Sequence, residues 1–468
     1  MLNKNYDLVV VGKSFLNVVY AIESLRNVNK VLVLEDERLN FGKLYEHGLA
    51  QLDCEYLITL GRDQDVEALA NLSRYTRNIA VSVHWDDKRV LLGREPWDNI
   101  HELYRAIPEL FSFSFIYDQN YEFSELNSEQ IKKVEYDKES FNDECFHYIE
   151  RLGLASYRFK SLESIDIEFF FEQCPQTLKL LYQSFDQALK SKPDLAKKFL
   201  YCMRGFFHKK YSSAHSDYET FHLFLSLISR HYTLDQESLR QDLIECFIAR
   251  GGAHKKAKIN DWRFFKSRPW SIELSTFEGI IHPDKLSFLG LNLRSLNLSA
   301  HSKEKFYGCV HVDIDFHHDS LTASLGHLHY FTKSDHMASS LPCATFMAES
   351  KSRLGGVLTY RRKAGSKISF FEDDLKKKAL SYLEQWYPGL SSDVKKISLS
   401  FGEEIYIDDS FYYKTNFVPF AKKVALYDHS RADEKKNLKL VAYHGPHKNL
   451  SFGFYGQLLD LKEGSYFQ

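Results

Sequence analysis

Three positions near the start of the chain, Gly12, Ser14 and Asn17, stand at the spacing of a G-x-G-x-x-G turn and follow the apolar run Leu8-Val9-Val10-Val11. In such a turn the first glycine makes the bend, the second lets the backbone reach a pyrophosphate, and the third lets the next helix lie close to the strand. Only the first glycine is kept. Ser14 adds a Cβ and a hydroxyl where backbone would touch phosphate, although that hydroxyl can itself donate to a phosphate oxygen. Asn17 adds bulk where the helix would approach the strand. Further on, Glu35 closes a second apolar run, Val31-Leu32-Val33-Leu34. An acidic side chain about 20 residues beyond the turn is placed to accept from ribose hydroxyls.

Other residue groups invite chemical readings. In His311-Val312-Asp313-Ile314-Asp315-Phe316-His317, alternation puts His311, Asp313, Asp315 and His317 on one strand face, with His327 and His329 expected across a hairpin. Imidazoles and carboxylates in that arrangement are metal ligands. The plainer reading, which we adopt, is a polar strand face whose other side, Val312, Ile314 and Phe316, lines a core. Seven scattered cysteines, none spaced C-x-x-C, indicate neither a disulfide framework nor a cysteine zinc site and fit a reducing compartment. No Ser-His-Asp pattern, G-x-x-x-x-G-K-[ST] turn or H-E-x-x-H pair occurs. Lys376-Lys377-Lys378 reads as a solvated helix face, and the 15% aromatic content as core packing.

The elements that must position these residues follow from pattern. Val18, Val19, Ala21 and Ile22 continue the turn into a helix. Ile79 to Trp85 and Val90-Leu91-Leu92 bracket Asp86-Asp87-Lys88 as a hairpin. Residues 127–250 are mainly helical: Leu178, Leu181, Tyr182, Phe185 and Leu189 share one face after Pro175. A helix over 234–249 is expected to start at the capping box Thr233-x-x-Gln236, bury Leu239, Leu243 and Phe247 with Ile244 and Ile248 alongside, and stop at Gly251-Gly252. Strands then return, and an apolar, glycine-rich stretch, Leu440 to Leu461, closes the chain. At 468 residues two lobes are expected. A net charge of −2 with both signs interspersed excludes a nucleic-acid field. There is neither a leader pattern nor a transmembrane run, which points to the cytoplasm.

In order, these features resemble the flavin-dependent amine oxidase and phytoene desaturase superfamily. The resembling elements are the strand, turn and helix at 6–22, the strand ending in Glu35, and Phe41-Gly42-Lys43 where that family has a Gly-Gly-Arg element. The hairpin leading to Ile107-Pro108-Glu109-Leu110 follows, then a helix running into Gly251-Gly252. Last come Val441-Ala442-Tyr443-His444-Gly445-Pro446 with Gly453 and Gly456. The resemblance implies an α/β fold in which a Rossmann-like FAD/NAD(P)-binding domain is interrupted by a second lobe of mixed β-sheet plus helices. The first comprises 1–75, 234–300 and 415–468; the second, a substrate- or partner-binding lobe, comprises 76–233 and 301–414.

The strands at 7–11 and 31–34 should then be adjacent and parallel, with 440–461 folded back beside them. The resemblance further implies FAD as cofactor, with Gly12, Ser14 and Asn17 shaping the pyrophosphate turn, Glu35 on the adenosine ribose, Gly42 and Lys43 beside the phosphates, and Gly445 near the flavin. The reaction would be hydride transfer from an amine or apolar substrate to flavin. Pro446 departs from the family, which carries an acidic residue there. The same superfamily holds the Rab GDP-dissociation inhibitors, whose turn also lacks its third glycine, and this implies the alternative of a non-catalytic protein that has lost flavin and holds a protein or lipid partner.

Overall fold

The computed structural model describes residues 3–12, 15–36, 49–85, 88–110, 128–157, 167–191, 217–265, 268–274, 279–289, 305–322, 325–332, 344–363, 372–407, 416–417, 424–425, 427–428 and 441–444. The chain opens with β1 (Asn3–Val11), α1 (Phe15–Ser24) and β2 (Val31–Glu35). Leu8 to Val11 and Val31 to Leu34 are apolar runs buried to 1% exposure or less, the pattern of strands covered on both faces. Every residue of α1 is buried, so this helix lies inside the molecule. The turn back into β2 is held by Asp7, whose Oδ2 accepts from the backbone amides of Asn29 (3.0 Å) and Lys30 (2.9 Å).

The middle of the chain is mostly helical. After β3 (Leu49–Ala50) and α2 (Gln51–Gln64) come β4 (Thr76–Trp85) and β5 (Lys88–Leu92), the expected hairpin, paired antiparallel. Helices α3 (Pro96–Ala106), α4 (Ser128–Tyr157), α5 (Gln176–Ser191) and α6 (Asp217–Ile228) follow. Leu178, Leu181, Tyr182, Phe185 and Leu189 form the buried face of α5, as their spacing predicts. The aromatics pack on one another: Tyr182 meets Phe221 edge-on at 4.8 Å and Phe185 lies 5.3 Å from Phe224.

Next come β6 (His231–Leu234) and α7 (Gln236–Ala249). The capping residue differs from expectation. Thr233 lies within β6, and Asp235 caps α7 by accepting from the Ser238 amide (3.1 Å) and hydroxyl (2.7 Å). A carboxylate one residue before the helix outcompetes a threonine that the sheet holds extended. Leu239, Leu243, Ile244 and Phe247 are buried as expected, whereas Ile248 is 51% exposed. Gly251, at φ +89°, turns the chain into β7 (Ala253–Lys256). The strands β8 (Ile259–Phe265), β9 (Arg268–Leu274) and β10 (Ile280–Leu289) follow.

The rest of the chain supplies β11 (Lys305–Phe316), β12 (His327–Thr332), β13 (Ala344–Ser350), β14 (Arg353–Lys363), α8 (Glu372–Trp386) and β15 (Val394–Ile407). Short strands complete it: β16 (Asn416–Phe417), β17 (Val424–Ala425), β18 (Tyr427–Asp428) and β19 (Val441–His444).

Two large sheets organise most of these elements, and β16 and β17 pair antiparallel with each other. In the first, the order is β18-β19-β10-β1-β2-β7, every neighbour parallel, with β9 antiparallel on β10 and β8 on β9. β1 pairs with β2 from Leu8↔Val31 to Val11↔Leu34, and β10 pairs with β19 from Leu286↔Val441 to Leu289↔His444. Residues 3–11 and 441–444 therefore share one sheet. The second sheet, β15-β11-β14-β13-β12-β4-β6-β3 with β5 on β4, is mixed: β12 and β4 run parallel and the other pairs antiparallel. The fold is an α/β, Rossmann-like parallel sheet combined with a mixed sheet and helices. One core runs from β1 and α1 through the helices to β4 and to Leu328 and Tyr330 of β12, and a second lies between β11 to β14 and α8.

Candidate functional site

The chain leaves β1 for β2 and β7 on one side, and later crosses to β10 and β19 on the other. The carboxyl ends of β1 and β10 thus flank the point where strand order reverses, the crevice at which open parallel sheets take ligands. Gly12 stands there at φ +156°, its amide donating to the Leu34 carbonyl (3.1 Å), so the bend is tied to the end of β2. α1 begins three residues later and turns its amino end, the favourable end for an anion, toward the carboxyl end of β1.

Asn17 lies in the first turn of α1, wholly buried, and neither atom of its carboxamide has a hydrogen-bond partner among the described residues. An orphaned buried amide costs about 1–3 kcal/mol. Ser14, Gly42, Lys43 and Gly445 lie outside the described residues, as do Pro446, Gly453 and Gly456.

Glu35 ends β2, as its position predicts, but it does not face outward. It is 3% exposed, and its Oε1 accepts from Arg240 Nη1 of α7 at 2.5 Å. His254 Nε2, on the neighbouring β7, is 3.1 Å from the same oxygen but out of hydrogen-bonding alignment. Arg240, itself 2% exposed, also donates to Glu237 one turn earlier on its helix. Burial opposes the Arg240 charge, yet Glu237 and Glu35 together raise its pKa above the ordinary arginine value. The backbone at this corner is pinned too: the Glu35 carbonyl accepts from Ala257 N (2.9 Å) and Asp36 Oδ2 from Ile259 N (2.8 Å). Sequence reading missed Arg240. The available signal was a charge set among Leu239, Leu243, Ile244 and Phe247 on the buried side of α7, where it demands a buried counter-charge.

The phosphate end of this site fits a dinucleotide: Gly12 at the bend, a helix amino end and a buried amide with no partner among the described residues. The ribose end does not fit as it stands, because the carboxylate that would accept ribose hydroxyls is enclosed by a guanidinium.

The histidine and aspartate strand has the apolar, core-lining side that its alternation predicts, and the difference from expectation lies in the placement of His327 and His329. On β11, Val310, Val312, Ile314 and Phe316 are buried, and Asp313 pairs with Arg353 of β14 at 3.2 Å. His327 and His329 are not across a hairpin from this strand. They lie on β12, separated from β11 by β14 and β13, because the chain pairs β11 with β14 and β15. A second cluster missed from sequence surrounds His329: His84 Nε2 is 3.3 Å from His329 Nδ1, and the His329 ring lies 3.6 Å from that of Trp386. Burial, then the charge of Arg89, lowers the His84 pKa to about 4; burial, then His84 and Arg89, lowers that of His329 to about 2. Both are neutral at pH 7, and the ring contacts mark a structural pair.

No protein-family model matches this chain, and no curated protein does. Solved structures with a similar course include Rab GDI from Plasmodium falciparum, 8% identical over 99% of this chain and 98% of that one, with a TM-score of 0.44. Putrescine oxidase bound to putrescine is 10% identical over 100% and 99%, with a TM-score of 0.43. A geranylgeranyl bacteriochlorophyll reductase-like protein from Thermoplasma acidophilum is 8% identical over 98% of this chain and 76% of that one, with a TM-score of 0.42. The strand order itself, rather than these likenesses, defines the fold.

Proposed function

We propose that this chain is an FAD-dependent oxidoreductase of the amine oxidase and desaturase type, acting on a small amine or apolar substrate. The observation that supports this reading is the switch point between β1 and β10, with Gly12 at its floor and the amino end of α1 beside it. There Gly12 and α1 would hold the pyrophosphate, with the Asn17 carboxamide buried behind. Glu35 would serve the ribose only after release from Arg240. A bound flavin would supply the hydride acceptor.

In this reading segments 1–75, 234–300 and 415–468 make the dinucleotide lobe, and 76–233 with 301–414 the substrate lobe. The sheet memberships support that division except at β3, which pairs with β6 of the mixed sheet, and at β16 and β17, which pair with each other outside the parallel sheet. A cytoplasmic setting goes with it, supported by the unbonded thiols Cys54, Cys145, Cys174 and Cys246. Among the described residues no helix is long and apolar enough to cross a membrane.

The test is the visible spectrum of the purified chain, before and after incubation with FAD and gel filtration. Flavin bands near roughly 370 and 450 nm that co-elute with protein are expected. A colourless chain that takes up no FAD would overturn the reading. It would favour a second one, a non-catalytic protein on the same fold with a protein or lipid partner, for which the enclosed Glu35 is the specific observation.

A further inference from the structure

We propose that Arg240 is an internal competitor for the adenosine ribose, so that a dinucleotide gains Glu35 only by displacing a guanidinium. The proposal rests on the dinucleotide reading above and names the residue that limits it.

Its basis is the ownership of one carboxylate. Glu35 stands where a ribose acceptor must present an oxygen to the groove, yet its side chain is 4% exposed and its Oε1 is taken by Arg240. It cannot turn outward with its backbone, because its own carbonyl and the next carboxylate, Asp36, are tied to Ala257 and Ile259. The movable partner is Arg240. Its other edge is bonded to Glu237, whose side chain is 68% exposed, so the guanidinium has a second anion toward solvent to retreat to when it leaves Glu35. A neutral ribose hydroxyl is a weaker donor to a buried carboxylate than a guanidinium. The exchange therefore opposes binding of the adenosine half and leaves the flavin half untouched.

The experiment compares FAD with FMN, which lacks the adenosine ribose, by calorimetric titration of the full chain. Arg240→Gln keeps a donor for the buried Glu35 and so preserves the fold; it should tighten FAD about tenfold and leave FMN unchanged. Arg240→Met should do the same if its melting temperature shows it folded.

Equal FAD affinity in wild type and Arg240→Gln would overturn the competitor while leaving the dinucleotide site standing. Failure of every form to bind either flavin would overturn the dinucleotide reading and this inference with it.

Discussion

At the scale of single residues, two buried polar groups in the candidate site make opposite predictions. From sequence, Glu35 is a strand-end acid whose removal leaves the ligand-free chain as stable as before. Its enclosure with Arg240 changes that expectation: Glu35→Ala removes one of the two carboxylates that hold the buried guanidinium, which keeps Glu237, and should cost about 2 kcal/mol of folding stability. Urea denaturation of the ligand-free chain measures this, and an unchanged midpoint would mean that the pair does not form in solution. Asn17 has no such partner among the described residues. Replacing it with alanine removes an unsatisfied carboxamide from the core and should be neutral or stabilising by about 1 kcal/mol. A clear loss of stability in Asn17→Ala would show that the amide is satisfied after all.

At the scale of elements, two junctions decide whether the sheet edges meet their helices. Gly252 follows the left-handed Gly251 at the exit of α7, and a Cβ there would lie 2.3 Å from the Phe247 ring. Gly252→Ala must push that buried ring aside and should cost about 2 kcal/mol. Gly251→Ala meets no atom within 4 Å and carries only the backbone strain of φ +89°, about 1 kcal/mol. Thermal melts of the two variants should rank in that order; the reverse order would place the crowding elsewhere. In the second sheet region, Asn99 of α3 is wholly buried. Its amide donates to the carbonyls of Arg94 (3.0 Å), Ile228 (2.8 Å) and Ser229 (3.0 Å), while its Oδ1 accepts from Arg94 N (3.1 Å). It joins the end of α6 to the start of α3. Asn99→Ala orphans several buried carbonyls and should lower stability by about 2 kcal/mol, read as a lower urea midpoint.

At the scale of the whole molecule, buried histidines couple the fold to pH. His84 and His329 join β4 to β12 across the mixed sheet and are neutral when folded, their pKa values lowered from 6.5 to about 4 and about 2. His231, on β6, is lowered to about 3 by burial. Unfolding frees these imidazoles to take protons below their ordinary value. Their contribution is therefore complete above pH 6.5 and is lost as pH falls toward the folded values. For His84 alone the loss is on the order of 3 kcal/mol between pH 6.5 and pH 4. Urea midpoints measured from pH 7.5 to pH 4.5 should fall in the wild type. They should fall less steeply in His84→Phe, which removes one titrating ring beside Phe331. Parallel slopes would show that His84 is not what titrates.

What the sequence alone determined is the set of features that repeat at short range. The apolar runs at 8–11 and 31–34 with Gly12 between them specify a buried parallel strand pair and its turn. The spacing of Leu178, Leu181, Tyr182, Phe185 and Leu189 specifies a helix face. Gly251-Gly252 specifies the stop of α7. Each is local, because backbone geometry and side-chain period act within a few residues.

Partnerships between distant segments were decided only by tertiary structure. That Glu35 belongs to Arg240, 205 residues away, depends on α7 lying against the end of β2. That His329 belongs with His84 rather than with the β11 histidine and aspartate row depends on β12 pairing with β4 and β13. Buried charges and rings take whichever counterpart packing brings within a few ångströms, and no spacing along the chain encodes that choice.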